Sequence, residues 1–413
     1  MSQHPINILF LSSWSYNEPL MHSYLLPNLR IIKKMLPTGS ICFLQTFEKK
    51  NFAIDLESKK IITSDLRNEG IEWIELRYSN FGFRSAVSYP LYILKLIRIC
   101  KKNKVIVLHP FAPVAGFMAL LVRKFYSSFL ILDSWEPHAE CMLETGVWKQ
   151  RSLALKVLWS AEKHLASSSD VLLAASLKMK EYALEKWNIN PERVYHRPAC
   201  IDFKHFVIDV QNRKLMRSEL NWDSSFVLVC ASKLGGLYMR DEVFAFFKMG
   251  FEIFGEKFRI LFLSEAAEAD VKELCDQFLI PFNSIKHLHV SYEEMPKYLQ
   301  LGDFAFNPQM HVPSKRYGTP VKDGEYWAMG LPLIIMPNIS EDSEIVVKQK
   351  VGVILKSTSV NDMLCALNEM KDLLETDSKI SSRCREVAIK YRDYEIARRA
   401  YRNAYTYIQT NIE

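Results

Sequence analysis

Short apolar runs alternate with amphipathic segments along this chain of 413 residues, and no other feature constrains the fold as strongly. In the first half, the apolar runs are typical of buried parallel strands; they lie at 6–12, 41–46, 71–76, 105–109, 129–133 and 171–175. Helical periodicity fills the segments between and after them, at 20–35, 86–101, 113–125, 153–166 and 177–187. This alternation predicts an α/β protein built on a doubly wound sheet.

The same alternation restarts in the second half of the chain. Strand-like runs lie at 226–232, 258–264, 285–290, 303–307 and 332–336, and helix-like segments at 241–254, 267–278, 292–300, 323–329 and 360–374. We predict a linker at 197–221, where no period holds, and helix over 378–412. Two consecutive doubly wound domains follow, and the carboxyl edges of their sheets are expected to face a central cleft.

Composition narrows the class of protein. Hydrophobic residues make up 49% and charged residues 24% of the chain, which excludes a disordered or collagen-like protein. No run of eighteen apolar residues occurs, and the apolar run at 6–11 is too short for a signal peptide, so we predict a cytoplasmic protein. The eight cysteines form no C-x-x-C pair, and buried reduced thiols are expected rather than structural zinc or disulfides.

The net charge of +6 is distributed unevenly. Residues 1–200 carry 26 Lys and Arg against 17 Asp and Glu, whereas residues 201–413 carry 27 against 30. A basic first half is either a solvated surface or a surface that meets an anionic partner. The segment 86–104 combines an apolar face with a basic end, which suits contact with an anionic membrane surface as well as packing on a core. No basic cluster is interleaved with aromatic residues, so no nucleic-acid partner is expected.

The most informative segment is 314–336, SKRYGTPVKDGEYWAMGLPLIIM. It predicts a loop, a short helix, a glycine stop and a buried strand. A helix that starts near Lys322 would direct its free N–H groups at a phosphate. Glu325, predicted in the first turn, has two acceptor oxygens that could hold a ribose diol, or it simply improves the helix dipole. The sequence has no G-x-G-x-x-G, P-loop, D-x-D, G-x-S-x-G or H-E-x-x-H motif.

The string P-x-K-x-x-E-Y-x-A-x-G-x-P in this segment resembles the nucleotide-sugar motif of GT-B glycosyltransferases, in particular the retaining glycosyltransferase family 4. The resemblance implies that Glu325 binds the ribose of the donor. Many members carry a second Glu eight residues earlier, near the transferred sugar, and here that position is Tyr317. This departure leaves the donor sugar open.

Three further segments match the family in the right order. The segment 230–240, CASKLGGLYMR, resembles the loop whose basic residues hold the donor diphosphate. The segment 290–299 resembles the one that lines the nucleobase pocket, and 197–206 resembles an interdomain hinge. The resemblance implies donor-binding roles for Lys322, Glu325, Gly235, Gly236, His289 and Val290, and catalytic stabilisation of the diphosphate by Lys233 and Arg240. For the loop and for His289, a solvated turn and a packed histidine remain open.

The first half contains the candidate acceptor site. The segment 133–140, DSWEPHAE, resembles a stretch of bacterial polysaccharide glycosyltransferases, which implies that His138 is catalytic and that Glu136 and Glu140 help to bind the acceptor. A structural loop histidine remains the alternative. The loop after the first strand offers Trp14, Tyr16 and Asn17 for stacking on a sugar and for bonding its hydroxyls, or it is a packed loop.

Together, the resemblance implies a GT-B architecture of two Rossmann-like domains. An acceptor domain would span 1–203, with a C-terminal helix of about 392–413 packed back on it, and a donor domain would span 204–391. The expected activity is metal-independent, retaining transfer from a nucleotide diphosphate sugar, with UDP ranked first, to a polysaccharide or lipid-linked oligosaccharide. We expect no cofactor, and peripheral contact with the inner membrane surface is an open alternative. A GT-B-fold nucleotide-sugar epimerase and a non-catalytic nucleotide-sugar-binding subunit are the two rival functions.

Overall fold

The computed structural model describes residues 5–79 and 83–411, so the predicted domain limits at residues 1 and 413 lie outside the described residues. The chain divides into two compact units. The first comprises Met1–Ala139, Leu153–Pro198 and Glu395–Glu413, and the second comprises Glu140–Ser152 and Ala199–Tyr394. The sequence prediction placed 140–152 with the first domain. This segment joins the second unit, where the Ser314 N–H donates to Glu144 Oε2 at 2.8 Å.

The first unit is built on a parallel sheet of seven strands, in the order β3-β2-β1-β4-β5-β6-β7. Its strands are β1 (Asn7–Leu11), β2 (Cys42–Glu48), β3 (Ile71–Arg77), β4 (Val105–Pro110), β5 (Phe129–Trp135), β6 (Val171–Ala174) and β7 (Val194–His196). Six of them coincide with predicted apolar runs. The sequence prediction missed β7, because a strand of three residues at the edge of the sheet has no apolar run of its own.

Helices alternate with these strands. They are α1 (Leu26–Met35), α2 (Leu56–Asn68), α3 (Phe83–Lys102), α4 (Ala112–Arg123), α5 (His138–Glu144), α6 (Leu153–Ser168) and α7 (Lys178–Trp187). A π-helical turn, Met21–Leu25, leads directly into α1. The prediction missed α2, although Asp55 marks its start by accepting the N–H groups of Glu57 and Ser58.

The second unit contains a parallel sheet of six strands, in the order β10-β9-β8-β11-β12-β13. Its strands are β8 (Phe226–Ala231), β9 (Phe258–Leu263), β10 (Ile285–Leu288), β11 (Phe304–Asn307), β12 (Leu333–Ile335) and β13 (Gly352–Ile354). The strand β13 was not predicted, and like β7 it has three residues and lies at an edge. Both sheets are wholly parallel in the described strands, and their buried side chains explain the continuous apolar runs in the sequence.

The helices of the second unit are α8 (Val210–Glu219), α9 (Asp241–Phe254), α10 (Glu268–Gln277), α11 (Met295–Leu299), α12 (Val321–Ala328), α13 (Asp342–Gln349), α14 (Val360–Thr376) and α15 (Ile380–Arg392). The last helix, α16 (Tyr394–Thr410), joins the first unit from Glu395 onward. The predicted linker at 197–221 is wrong in part, because it contains α8. Asp209 caps that helix by accepting the N–H groups of Gln211 and Asn212.

Aromatic packing and close approaches of glycine define the core of the second unit. The rings of Phe246 and Phe306 stack with their centroids 4.2 Å apart. Gly250 lies so close to the ring of Phe258 that an added Cβ would stand 2.2 Å from it. Among the residues that the structure describes, no helix is long and apolar enough to cross a membrane. All eight cysteines are free thiols, and six of them are buried.

Candidate functional site

The loop between β8 and α9 contains four of the predicted donor-site residues. It is held against the segment that follows β11: the Met239 N–H donates to the Pro308 carbonyl at 2.9 Å, and the Met310 N–H donates to the Leu237 carbonyl at 3.2 Å. This pairing places the predicted diphosphate loop beside the segment that leads into α12. The two sequence segments that most resemble the family are therefore neighbours in the second unit.

Gly235 is half-buried and Gly236 is exposed in this loop. Their φ angles are +77° and +67°, in the left-handed region that favours glycine. A Cβ added at either residue would meet no atom within 4 Å, so nearby side chains do not impose glycine here. The loop backbone is thus open to close approach by a ligand, in keeping with the role predicted for both glycines.

Lys233 and Arg240 flank the two glycines, and each forms an exposed ion pair. Lys233 Nζ lies 2.5 Å from Glu265 Oε1, and an Arg240 guanidinium nitrogen lies 2.7 Å from Asp241 Oδ1. Exposed pairs of this kind contribute at most about 1 kcal/mol, so a diphosphate could replace either carboxylate. Their predicted catalytic role stays a prediction.

Glu325 is the most constrained of the predicted site residues. Its side chain is only 1% exposed, and Lys322 Nζ donates to its Oε2 at 2.7 Å from the preceding turn. Its other oxygen, Oε1, has no hydrogen-bond partner among the described residues. Because α12 begins at Val321, Glu325 lies in the second turn rather than the predicted first turn. A dipole-improving role is therefore weakened, since that effect falls off within the first turn.

The side chain of Tyr292 lies near this carboxylate. Burial raises the pKa of the Tyr292 hydroxyl, and the charge of Glu325 raises it further. The ring of His205 lies 4.7 Å from that of Tyr292, and His205 Nε2 is 2.9 Å from its carbonyl oxygen. The predicted base-binding residues His289 and Val290 follow β10, where His289 is exposed and Val290 packs against the core. The prediction identified this segment but did not single out Tyr292.

A cluster of buried polar side chains includes Asp323, which lies two residues before Glu325 on α12. Asn307, at the end of β11, donates through Nδ2 to both oxygens of Asp323, at 2.7 and 2.9 Å. Arg392 is paired with both oxygens of Asp342. Burial raises the pKa of Asp323 well above its usual range, and the neighbouring Asp342 raises it further. Arg392 opposes this shift, because its charge favours the ionised form of Asp323, so the two buried carboxyls share one guanidinium.

The first unit contains its own buried cluster, centred on Asp133 at the end of β5. Arg197 Nε donates to Asp133 Oδ1 at 2.6 Å, and the Tyr401 hydroxyl donates to Oδ2 at 2.8 Å. His109 bridges Asp133 Oδ2, at 3.1 Å, and the Tyr405 hydroxyl, at 2.9 Å. Burial alone would raise the pKa of Asp133, but the charge of Arg197 and the bond to His109 outweigh it, so this pKa is lowered.

This cluster determines how the chain leaves β5 toward the predicted catalytic histidine. The Ser134 N–H donates to Asp133 Oδ1 at 2.6 Å, and Ser134 has a φ angle of +52°. Four residues further on, His138 begins α5, and its N–H donates to the Glu136 carbonyl at 2.9 Å. His138, Glu136 and Glu140 are all half-buried. Glu140 falls in the second unit, whereas the other two fall in the first.

The structure places the other acceptor-site candidates in the loop after β1. Asn17 is exposed and Trp14 is half-buried. Tyr16 is only 8% exposed, because its ring packs against His22 and Trp73 at centroid distances of 5.2 and 4.9 Å. This packing leaves little of the Tyr16 ring for a sugar, so it supports the packed-loop alternative at that residue.

The residues that sequence reasoning missed are the partners of the two buried clusters. His109, Arg197, Asp323, Asp342 and Arg392 are charged or titratable, yet all are at most 2% exposed. Their only signal in the sequence is a polar residue next to a predicted strand, as at His109 and Asp133. Among the described residues, no group of three or more His, Cys, Asp or Glu side chains is placed to hold a metal ion.

Comparison with known proteins yields structural relatives only: no family model matches the sequence, and neither does any curated protein. Sucrose-phosphate synthase from Thermosynechococcus elongatus superposes with a TM-score of 0.74 at 14% identity, over 98% of this chain and all of that one. Anabaena HepE in complex with UDP-glucose gives 0.73 at 13% identity, over 97% and 99%. A structure assigned as a UDP-N-acetylglucosamine 2-epimerase from Listeria monocytogenes gives 0.64 at 12%, over 99% and 97%.

These similarities, together with the two parallel sheets of seven and six strands, define the architecture. The chain has an α/β two-domain GT-B fold, and this prediction is confirmed. At identities this low, the similarity extends to the fold alone, and function depends on the residues of the site.

Proposed function

We propose that this protein is a retaining glycosyltransferase of the family 4 type, which transfers a sugar from a nucleotide diphosphate sugar, UDP-linked in the first instance. The observation that carries the proposal is Glu325 Oε1, a buried carboxylate oxygen without a partner among the described residues. A buried oxygen without a hydrogen bond costs about 1–3 kcal/mol, so its retention calls for a reason.

A ribose diol is the group that would satisfy this oxygen. Vicinal hydroxyls can donate to one carboxylate, and the bond from Lys322 Nζ to Oε2 orients the Glu325 side chain. The N-terminal end of α12 adds its positive dipole end on the phosphate side. A carboxylate that accepts from a ribose and a helix N-terminus that faces phosphates would together recognise a nucleoside diphosphate.

The diphosphate would occupy the loop between β8 and α9. Gly235 and Gly236 leave the backbone open there, and Lys233 and Arg240 supply the positive charge. During transfer, an acceptor hydroxyl oxygen bonds to the anomeric carbon on the face from which the phosphate departs. The bond to the phosphate oxygen breaks, and that phosphate helps to take the hydroxyl proton. The protein contributes position and charge stabilisation, and we expect no metal or cofactor.

The first unit would bind the acceptor, a bacterial polysaccharide or lipid-linked oligosaccharide, at the cytoplasmic face of the membrane. His138 would bond a sugar hydroxyl or the diphosphate, with Glu136 beside it. The Asp133 cluster supports this role, because it holds the chain immediately before His138. We expect Lys233→Ala to lower the rate of transfer by about 10²–10³.

A nucleotide-sugar epimerase is the second candidate, since one structural relative with the same fold is assigned that activity. A single assay, with and without an acceptor, distinguishes these two functions. An epimerase would convert the donor alone, whereas a transferase needs an acceptor. A protein that binds nucleotide but neither converts nor transfers the sugar would be a binding subunit, which would refute both enzymatic functions.

Thermal unfolding with UDP, GDP, dTDP, CMP and NAD⁺ tests the donor site. A ligand at about 100 times its Kd stabilises by about 2.7 kcal/mol, which is seen as a rise in Tm. We expect a rise with one nucleoside diphosphate that Glu325→Ala abolishes. The control Glu268→Ala removes an exposed carboxylate from α10 and should keep the rise. No rise with any diphosphate, or a rise with NAD⁺ alone, would refute the proposal.

A further inference from the structure

One segment of the first unit contains no acidic residue over a long stretch of chain. Between Glu75 and Asp133, the sequence has nine Lys and Arg and no Asp or Glu. Residues 1–200 carry nine more basic than acidic residues, so the nine basic residues of this segment equal the whole excess of positive charge in that half. The segment contains α3, β4 and α4. Because β4 is buried in the sheet, the charge is concentrated on the two helices and the turns beside them.

The outer face of α3 is apolar in its first half and basic in its second. Val87, Leu91 and Leu94 are 54%, 60% and 49% exposed, and their spacing of four and three residues places them on one stripe. The same stripe continues through exposed basic residues, which are Lys95, Arg98, Lys101 and Lys102. The opposite face, with Leu96 and Ile97, is buried.

Helix α4 repeats this arrangement beside α3. Its exposed apolar residues Val114 and Phe117 lie in its first half, and Lys124 follows its last turn. The two helices pack against each other. Helix α3 connects β3 to β4, and α4 connects β4 to β5, so both connections lead toward β7 in the sheet. Right-handed crossovers in the same direction place their helices on the same side of the sheet. Both helices run antiparallel to the strands, so each is directed the same way, from its exposed apolar residues to its basic end.

We propose that this α3–α4 surface binds an anionic lipid bilayer. It is defined by the apolar residues Val87, Leu91, Leu94, Val114 and Phe117 and the basic residues Lys95, Arg98, Lys101, Lys102 and Lys124. Exposed apolar side chains beside uncompensated positive charge match the interface of such a membrane, where acyl chains meet anionic headgroups.

The charge pattern favours a bilayer over a protein partner. In the part of the chain that the structure describes, Arg98, Lys101, Lys102 and Lys124 form no ion pair, so the basic charge is not neutralised within the protein. A contact with a second copy would set the same positive surfaces against each other, which is repulsive. The surface would lie on the membrane without crossing it. This inference rests on the proposed function in one respect: a protein that binds the membrane would favour a lipid-linked acceptor over a free polysaccharide.

The test is co-sedimentation of the full chain with vesicles, which requires no enzymatic activity. One set of vesicles contains phosphatidylcholine alone, and the other contains equal parts of phosphatidylcholine and phosphatidylglycerol. We expect binding to the second set, weakened by added salt. Since each basic residue near such a membrane strengthens binding about fivefold, Lys101→Gln combined with Lys102→Gln should weaken it about 25-fold.

A matched control separates this surface from net charge. Lys348→Gln combined with Lys356→Gln removes two exposed charges from the second unit and should change binding less than about twofold. Leu91→Ser combined with Leu94→Ser should weaken binding at least about tenfold, whereas Val347→Ser combined with Val360→Ser should not.

Three results would overturn the inference. They are no binding to phosphatidylglycerol vesicles, equal losses in the α3–α4 variants and the second-unit controls, or a dimer in solution that Leu91→Ser with Leu94→Ser dissociates. The last result would identify a second copy as the occupant. Nucleotide binding measured on the same samples keeps the outcome apart from that of the proposed function, because the vesicle assay can fail while UDP still raises Tm, and the reverse.

Discussion

Lys322 neutralises only one side of Glu325: its Nζ donates to Oε2 at 2.7 Å, and Oε1 of the same buried carboxylate has no partner among the described residues. Lys322→Met would leave both oxygens without a hydrogen bond from a side chain. We expect a loss of about 1–3 kcal/mol in the free energy of unfolding, measured with denaturant. Glu325→Gln should cost less, because it removes the buried charge, and adding Lys322→Met to it should cost little more. Additive losses would contradict this coupling.

The buried carboxylates of α12 and α13 differ in their sensitivity to substitution. Asp342→Asn removes the carboxylate that is paired with the buried guanidinium of Arg392, so we expect a loss of about 3–5 kcal/mol in unfolding free energy. Asp323→Asn is its matched control. The raised pKa of Asp323 favours its neutral form, and an amide oxygen can still accept from Asn307. Its loss should stay below about 1 kcal/mol. Equal losses would show that Asp323 is ionised.

Arg197 is the only guanidinium bonded to Asp133 among the described residues. Arg197→Met leaves that fully buried carboxylate uncompensated, and we expect a loss of about 3–5 kcal/mol in unfolding free energy. Arg399→Met, an exposed change on α16, should stay within about 0.5 kcal/mol. Denaturant midpoints at neutral pH measure both. A mild effect of Arg197→Met would mean that the bonds to Ser134, His109 and Tyr401 are enough to hold Asp133.

Glu162 makes the stability of the first unit depend on pH. Burial raises the pKa of its carboxyl to about 8, although the Ala139 N–H bonded to it acts in the other direction. In the unfolded chain, this group loses its proton near pH 4.3, so the unfolded state is favoured increasingly as pH rises from there to about 8. We expect Glu162→Gln to raise the unfolding free energy at pH 8 by about 3–5 kcal/mol and to have little effect near pH 4.

The control for this pH dependence is Glu181→Gln, which changes an exposed carboxyl on α7. Its unfolding free energy should follow that of the unmodified protein across the whole pH range. Urea titrations at a series of pH values give the comparison. If Glu162→Gln lowers stability at pH 8, the carboxyl is ionised there and bonds the Ala139 N–H as a carboxylate.

Most of the fold was predictable from the sequence, because parallel strands buried on both faces produce continuous apolar runs. The exceptions have a physical reason. The strands β7 and β13 have three residues each at sheet edges, where neither length nor two-sided burial marks them. Helices α2 and α8 each bury a single residue, Leu66 and Arg217, and the capping residues Asp55 and Asp209 mark where they start.

The candidate site was predictable only where its residues are close in sequence. Lys322 and Glu325 lie one turn apart on a helix, so a local motif identified both. The Asp133 cluster unites residues separated by up to 296 positions, and no local pattern encodes such a contact. Tyr16 shows the converse, because its sequence neighbours left a sugar-binding loop and a packed loop both open, and distant Trp73 packs against its ring.

The distance in sequence between Asp133 and Tyr401 has a consequence for biosynthesis. A ribosome makes all seven strands of the first sheet long before it reaches α16, which supplies the hydroxyls bonded to Asp133 and His109. Until residue 405 has been added and the helix has docked, Asp133 lacks its bond from Tyr401 and His109 lacks its bond to Tyr405. The first sheet is thus translated well before its unit can mature, and we expect the nascent chain to remain sensitive to proteases until α16 has been made.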